Sequence, residues 1–276
     1  MSTDFQQARV ALGARLRELR AGLTGRELAD RLGWQQSKVS KLETGRQTAT
    51  ASDLAAWAKA TGHPAAAEEL EARRKTLESR SRSWRRQLAA GHRPVQDALT
   101  VEYERSKNFR AWQSAMVVGM LQTPEYARAV FGSYANLHRS PRDIDEAVRA
   151  RAQRQSMLYS GDRAFHVLMW EAVLYSAVCP LNVLAGQLDR LAGVLGLDTV
   201  KLGLIPFGTV LKLPPAGGFW LYDERLVIVE EWHAESWLDD VDSVALYLRV
   251  WRGLEDAAVY GAAAHRLIAR ARGRLK

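Results

Sequence analysis

The chain has 276 residues, 47% of them apolar, which is enough to bury a full core in what we expect to be two domains. Its single cysteine, Cys179, excludes a disulfide framework and a cysteine-based metal site, and no apolar run has the length of a membrane span or a signal peptide, so we expect a cytoplasmic protein. Residues 1–100 carry +7 of the net charge of +8, so we expect this part of the chain to meet a polyanion.

The first residues follow a helical pattern. We predict a helix from about Phe5 to Leu19, because its apolar residues recur at helical spacing. The predicted buried stripe consists of Val10, Leu12, Leu16 and Leu19. Thr24 stands three residues before Glu27, and this pair is typical of a capping box that begins a new helix. That second helix ends where Gly33 can take a left-handed conformation.

A third predicted helix follows at once, from about Gln35 to Glu43. Val39 and Leu42 are its inward-facing apolar residues, and Gly45 ends it. Two helices this short, joined by so few residues, are the layout of the helix-turn-helix, whose second helix enters the major groove of DNA. We therefore predict a DNA-reading helix over residues 35–43.

Polar and basic side chains are left on the outer side of this helical pair. Gln can bond bidentately to the edge of adenine, Lys can bond guanine or phosphate, and a short Ser hydroxyl permits close approach to a base or to the backbone. The positive end of the helix dipole also favours a nearby phosphate. We expect close approach to bases from Gln35, Gln36, Ser37, Ser40 and Lys41, and phosphate contacts from Arg26, Lys38 and Arg46.

The same stretch resembles the phage-repressor-like (Xre) helix-turn-helix family. The residues that carry the resemblance are Leu28-Ala29, Gly33, Gln36-Ser37, Val39-Ser40, Leu42-Glu43 and Gly45-Arg46. The resemblance implies that the residues at positions 35, 36, 37 and 41 contact DNA and that Glu43 supports the fold. Gly25-Arg26 departs from the family, which more often has polar residues there, so Arg26 is the side chain available for a phosphate contact from the first helix of the pair.

Two further helices complete the predicted N-terminal domain. Ser52 is the expected cap of the fourth helix, and the fifth begins after His63-Pro64. The residues expected to pack from the fourth helix are Leu54, Ala55, Trp57 and Ala58. We predict an all-α five-helix helix-turn-helix domain over residues 1–72 and a basic linker helix over 73–94. The linker has three interpretations: an arm that lies on DNA phosphates, a connector helix in a dimer, and an exposed linker helix with a solvated face.

Residues 95–276 combine helical and strand patterns. Thr123-Pro124-Glu125 has three signals of a helix start, namely an N-cap, a proline and an acidic residue in the first turn. Further helices are predicted over Ile144–Tyr159, which is rich in arginine on its wet side, and over Val183–Leu195 and Val241–Arg272. Strands are predicted over Phe165–Trp170, Val200–Phe207, Gly218–Tyr222 and Leu226–Glu230. This pattern, without a glycine-rich phosphate loop, predicts an α+β domain.

This half resembles a C-terminal domain, described as antitoxin-like, that is fused to Xre domains in regulators of the actinobacterial type. The matching pieces are GMLQTPEYARAV, the Glu171–Leu174 run, QLDRL, VKLGLIPFG, GFWLYD and LVIVEE. Val118-Gly119-Met120 departs from the Pro-Gly-Leu that commonly precedes Leu-Gln-Thr in the family. The resemblance implies a regulator that is often encoded beside a small acidic partner protein.

The same half contains no recognisable catalytic set. His166 alternates with apolar neighbours on a strand, and we expect no helix N-terminus after Cys179 that would lower its pKa reliably. The acidic stretch from Glu230 to Asp242 matches no metal-site template, and we interpret it as a surface loop or a partner-docking surface. Trp220, Trp232 and Trp237 have two interpretations, a stacking pocket for a small ligand and ordinary packing, and packing is favoured. We predict no enzyme, cofactor or metal.

Three functions are compatible with these observations. The first is a sequence-specific DNA-binding transcriptional regulator, acting as a homodimer with two reading helices about 34 Å apart on double-stranded DNA. The second is an antitoxin-like protein whose C-terminal domain binds a small acidic neighbour-encoded protein, with DNA binding serving autoregulation. The third is a small-molecule sensor.

Overall fold

The computed structural model describes residues 4–79 and 82–275. The chain divides into two compact units, the first formed by Met1–Arg82 with Asp239–Val241 and the second by Ser83–Leu238 with Asp242–Lys276. Among the described residues, no helix is both long enough and apolar enough to cross a lipid bilayer. Each unit has apolar core residues of its own.

The first unit is helical. Its described helices are α1 (Asp4–Leu19), α2 (Gly25–Leu32), α3 (Gln36–Glu43), α4 (Ala51–Ala60) and α5 (Ala66–Ser79). They pack around Trp57, which is fully buried and donates a hydrogen bond from Nε1 to the carbonyl oxygen of Leu16 at 3.1 Å. The prediction of an all-α five-helix domain is confirmed.

Local capping decides where these helices begin. At the predicted capping box of α2, the backbone N–H of Glu27 donates to Thr24 Oγ1 at 3.2 Å, and the backbone N–H of Thr24 donates to the Glu27 carboxylate at 2.6 Å. Gly33 ends α2 in the left-handed conformation, with a φ of 66°. The prediction that Ser52 caps the fourth helix is wrong. Thr50 is the cap, because it has the acidic residue three positions later that a capping box requires.

Two residues of the predicted core of this unit lie at the surface. Val10 is 49% exposed, and Ala55 is exposed as well. An α-helix turns by about 100° per residue, so Val10, two residues before the buried Leu12, points to the other side of α1. Ala55 follows the buried Leu54 and is likewise turned away from the core. Apolar character alone therefore overestimated the width of both buried stripes.

The rest of the described chain alternates between helices and strands. In chain order these elements are β1 (Arg82–Ser83), α6 (Trp84–Gln87), α7 (Arg93–Arg105), β2 (Asn108–Gln113), α8 (Pro124–His138), α9 (Ile144–Gln155), β3 (Ala164–Trp170), α10 (Leu181–Val194), β4 (Val200–Ile205), β5 (Phe219–Tyr222), β6 (Leu226–Glu230), β7 (Ala234–Leu238), α11 (Val241–Glu255) and α12 (Gly261–Gly273). The predicted helix start at Thr123 is confirmed, since its hydroxyl accepts the backbone N–H of Tyr126 at 3.2 Å. The sequence did not predict β2 or β7.

In the part of the chain that the structure describes, seven strands form one mixed sheet in the order β1-β7-β6-β5-β2-β3-β4. β2, β3 and β4 are parallel, whereas the pairs β2–β5, β5–β6 and β6–β7 are antiparallel. Side chains alternate between the two faces, as in any strand. Phe165, Val167 and Met169 of β3 join a core that includes residues of α10 and α12, and Leu168 joins a second core with α11. The predicted α+β class is confirmed.

The predicted basic linker helix over residues 73–94 is not a single helix. The sequence from 73 to 94 passes from α5 through the short elements β1 and α6 into the start of α7. The chain turns at Gly91, which has a φ of 95°. The Asp143 carboxylate then accepts the backbone N–H groups of His92 and Arg93, each at 2.7 Å. This cap from a distant residue begins α7 and prevents one continuous helix.

Two further predictions near the C-terminal end of the chain are wrong. The long final helix is two helices, because Val259 leaves the helical conformation and exchanges backbone hydrogen bonds with Leu204 at 2.8 and 2.9 Å. Gly261, with a φ of 53°, then begins α12. The acidic stretch from Glu230 to Asp242 is not a surface loop, since it contains β7, paired with β6, and the buried Glu235.

Candidate nucleic-acid interface

α3 lies against α1 and α2 with its apolar face inward. Val39 and Leu42 are buried in the core of the first unit, as the sequence predicts. At its C-terminal end α3 approaches the backbone of α1 closely. A Cβ atom at Gly13 would lie 2.5 Å from the carbonyl oxygen of Glu43 and 2.6 Å from that of Leu42. Only glycine fits there, so α1 holds the end of α3 at backbone distance.

Glu43 ties α3 to α1 through charge. Its buried carboxylate accepts hydrogen bonds from Arg17 Nε at 3.3 Å and from Arg20 Nη2 at 3.1 Å, and Arg20 Nε makes a further short contact. The hydrogen bond to Glu43 raises the pKa of Arg20, although burial opposes this effect. Arg20 also donates to the carbonyl oxygen of Leu23, just before α2. This geometry gives Glu43 the supporting role that the family resemblance implies.

The opposite face of α3 is open to solvent. Gln35 caps the N-terminus of α3 without using its side chain for a capping hydrogen bond. Gln36 Nε2 lies 3.8 Å from the position that a Cβ would take at Gly25, so its amide stands beside the first residue of α2. The predicted DNA-contacting side chains that are exposed are Arg26, Gln35, Gln36, Ser37, Ser40, Lys41 and Arg46. The first turn of α3 therefore presents two exposed amides and a hydroxyl together, with Ser37 Oγ donating to Gln35 Oε1 at 3.5 Å.

Lys38 is placed differently from the other predicted side chains. It is half-buried, its Nζ lies 2.6 Å from Asp53 Oδ1, and the same atom lies 3.9 Å from the ring centroid of Trp34. Asp53 belongs to the capping box of α4, so Lys38 joins α3 to α4 and is not directed toward a phosphate in this structure. Sequence reasoning missed Asp53, although its position three residues after Thr50 is a recognisable capping signal.

The exposed cations of this face are free to meet an anion. Among the described residues, Arg26, Lys41 and Arg46 form no ion pair with a carboxylate. By contrast, Arg15 of α1 pairs with Glu69 at 3.0 Å and with Glu18 at 3.1 Å. The N-terminus of α3, which has no side-chain cap from Gln35, adds positive potential near the same side chains. Amide groups that can recognise base edges and cations that can bind phosphate thus share one surface.

Comparison with known protein families agrees with this division of the chain. Residues 11–74 match the model of a helix-turn-helix domain. Residues 95–270, more than half of the chain, match a domain of unknown function, DUF5753. The chain belongs to the DUF5753 family. The DUF5753 match extends from α7 into α12 and leaves the DNA-binding helix-turn-helix domain as a separate unit before it.

More distant comparisons add little. No curated protein matches the chain. One solved structure with some similarity is that of TrmBL2, an archaeal chromatin protein described as showing a novel mode of DNA binding. It is 14% identical, the match covers 90% of this chain and 93% of that one, and the TM-score is 0.32. A likeness this low supports no conclusion about the DUF5753 protein.

Proposed function

We propose that this DUF5753 protein is a sequence-specific transcriptional regulator of the Xre type that reads operator DNA with α3. The observation that carries the proposal is the exposed first turn of α3, with Gln35, Gln36 and Ser37 on a helix whose opposite side is fixed by Gly13 and Glu43. A reading helix needs this combination, because bidentate contacts to base edges discriminate only when the donor groups are held in place.

Different side chains have different roles in the proposed complex. Gln35 and Gln36 approach adenine edges in the major groove, and Lys41 approaches guanine or phosphate. Arg26 and Arg46 bind phosphates and set the position of the domain on the duplex. We assign Lys38 a positioning role through Asp53 in place of the phosphate contact expected from the sequence.

The proposal includes a homodimer. α3 has eight residues and so is only about 12 Å long, enough to reach the bases of one half-site. A regulator that selects its operator among many competing sites gains specificity by reading two half-sites, one helical turn or about 34 Å apart. We therefore expect two copies of the chain on a palindromic operator, with the DUF5753 domain available for dimerisation or for binding an effector.

The test is binding of the full-length protein to DNA over a series of salt concentrations. We expect affinity for a duplex chosen by selection from random DNA to exceed that for unrelated DNA by about 1,000-fold or more. Equal affinity for both duplexes would contradict sequence-specific regulation. The antitoxin-like alternative, in which the C-terminal domain binds a small acidic neighbour-encoded protein, would then be preferred.

Arg26 offers a separate prediction about phosphate contacts. Because Arg26 is exposed and unpaired, we expect Arg26→Ala to weaken binding to selected and unrelated DNA about equally. The slope of log K against log salt should fall in magnitude by about 1, the value for one lost phosphate contact. The matched control is Arg270→Ala, which removes an exposed arginine of α12 and should leave the slope unchanged. An unaltered slope in Arg26→Ala would place the phosphate contacts elsewhere.

A further inference from the structure

The second unit contains a cavity of about 90 Å³ at the junction of α7, α8, α9 and the sheet. An open groove of about 700 Å³ adjoins it. The residues that line both are Gln113, Met116, Val130, Tyr134 and Glu230. A closed cavity of about 150 Å³ is large enough for benzene. The smaller cavity in this protein therefore suits only the polar head group of a ligand. The rest of a larger ligand must extend into the groove.

Arg151 is the principal charged group of the cavity. Its guanidinium lies over the ring of Phe131, 4.2 Å from the centroid, and donates from Nη1 to Gln122 and from Nε to Gln96 Oε1 at 3.4 Å. Both hydrogen-bond partners are neutral, and no carboxylate of the described residues lies within ion-pair distance of Arg151. Burial, and to a lesser extent Arg154, lowers its pKa to about 10, so the side chain remains a cation at neutral pH.

Two neighbours make the surroundings of Arg151 more suitable for an anion. Arg154 is held by hydrogen bonds to the carbonyl oxygen of Gln96 at 2.9 Å and to Gln96 Oε1 at 2.8 Å, so it adds positive potential without being free to move. His92, which also lines the cavity, is only 5% exposed, and its Nε2 is buried without a hydrogen-bond partner. A ligand oxygen would satisfy that atom.

Glu230 limits the charge that the cavity accepts. It lines the cavity and the groove, and its carboxyl makes no hydrogen bond or ion pair within residues 4–79 and 82–275. Burial raises its pKa, although Arg151 opposes this effect. An ionised Glu230 repels a doubly charged anion such as phosphate more strongly than a monoanion. A ligand with a single carboxylate can pair that charge with the guanidinium of Arg151, and it carries no second negative charge that would lack a partner.

We propose that this cavity binds the carboxylate of a small apolar acid, with the carboxylate on Arg151 and the body of the ligand in the groove. Exposed large apolar side chains line that groove, namely Leu137, Val178 and Trp232. Trp232 is 75% exposed, and its ring is nearly parallel to that of Tyr134 with centroids 6.5 Å apart. Of the three tryptophans considered in the sequence, Trp220 lines the cavity, Trp232 lines the groove, and Trp237 packs against the core.

The test is calorimetric titration of the full-length protein with 3-phenylpropionate and with 3-phenylpropionamide. We expect the acid to bind about 10-fold or more tightly than the amide, since only the acid forms a charge-assisted pair with Arg151. Inorganic phosphate should bind more weakly than the acid. Failure of the acid to bind, equal affinity of acid and amide, or tighter binding of phosphate would overturn the proposal.

Single-residue variants test where on the protein 3-phenylpropionate binds. Arg151→Met should weaken binding of 3-phenylpropionate by about 10- to 100-fold, whereas Arg149→Met should leave it unchanged, because Arg149 is an exposed residue of the same helix. Trp232→Ala removes an exposed ring, so it should leave the fold intact and weaken binding of the acid more than about 3-fold. If Arg151→Met fails to fold, the affinity of Trp232→Ala and the comparison of acid and amide in the wild type decide whether the proposed site binds the acid. Unchanged affinity of Trp232→Ala for the acid would show that the ligand does not extend into the groove.

Discussion

Replacing Glu43 with alanine is expected to lower the free energy of unfolding of the first unit by about 3 kcal/mol, because it leaves the partly buried Arg20 without its counter-charge. α3 also loses its ionic connection to α1, and DNA affinity should fall with stability. Amide hydrogen exchange of the full-length protein, read at α1 and α3, measures the change.

Arg17 provides the matched control for this prediction. Its side chain is 61% exposed and binds the same carboxylate, so Arg17→Ala should cost less than about 1 kcal/mol. Glu43→Gln keeps the shape of the side chain without its charge, so its loss of free energy of unfolding should lie between those of Glu43→Ala and Arg17→Ala. A change below about 0.5 kcal/mol in Glu43→Ala would mean that the apolar contacts of Val39 and Leu42 hold α3 by themselves.

His166 is expected to make the second unit less stable as the pH falls from about 6.5 to 4. Its Nε2 lies 3.0 Å from the Tyr260 hydroxyl, and its ring meets Trp251 edge-on at 4.9 Å. Burial, together with Lys201, lowers its pKa to about 4, and Glu255 opposes this effect only in part.

The direction of this pH effect follows from proton binding. An unfolded histidine takes up its proton near pH 6.5, whereas folded His166 does so only near pH 4. Between these values the unfolded state binds more protons, so stability falls with decreasing pH, by about 3 kcal/mol at most, and His166 causes no further loss below pH 4. The measurement is denaturant unfolding at several pH values for wild type and His166→Gln. Parallel stability curves for the two proteins would contradict the prediction.

Two further histidines affect the same pH range, so the comparison must be between variants. Burial also lowers the pKa of His92 and of His138, which therefore contribute in the same direction as His166. The His166→Gln protein should keep this residual slope, and the difference between the two curves isolates His166.

The parts of the interface that depend on neighbouring residues could be predicted from the sequence. The capping box of Thr24 and Glu27 and the stop at Gly33 each involve residues at most a few positions apart, and all were found in the structure. The inward direction of Val39 follows from helical periodicity. Lys38 was misjudged because its partner, Asp53, lies 15 residues away, on another helix, and no local pattern connects the two.

In the second unit, contacts between residues that are distant in the sequence were also missed. Its helix over residues 144–155 was expected to be rich in arginine on its wet side, because charge usually marks the solvated face. Arg151 and Arg154 turn inward, since Gln96 from α7 and Phe131 from α8 provide hydrogen bonds and an aromatic surface. These partners become neighbours only when the chain folds, so no local pattern could place Arg151 and Arg154 in the cavity. Trp220 and Trp232, which line the cavity and the groove, were the residues for which a ligand pocket was one interpretation.

Base readout by α3 is tested most directly with Gln36→Ala and a set of duplexes that carry every single base-pair change in the selected site. We expect wild-type protein to lose about 1–3 kcal/mol of binding free energy at the base pair that Gln36 contacts. The variant should lose this discrimination at that position alone, with an unchanged salt slope. A variant that binds every duplex more weakly by the same factor, and keeps the full pattern of base preferences, would contradict base readout by Gln36.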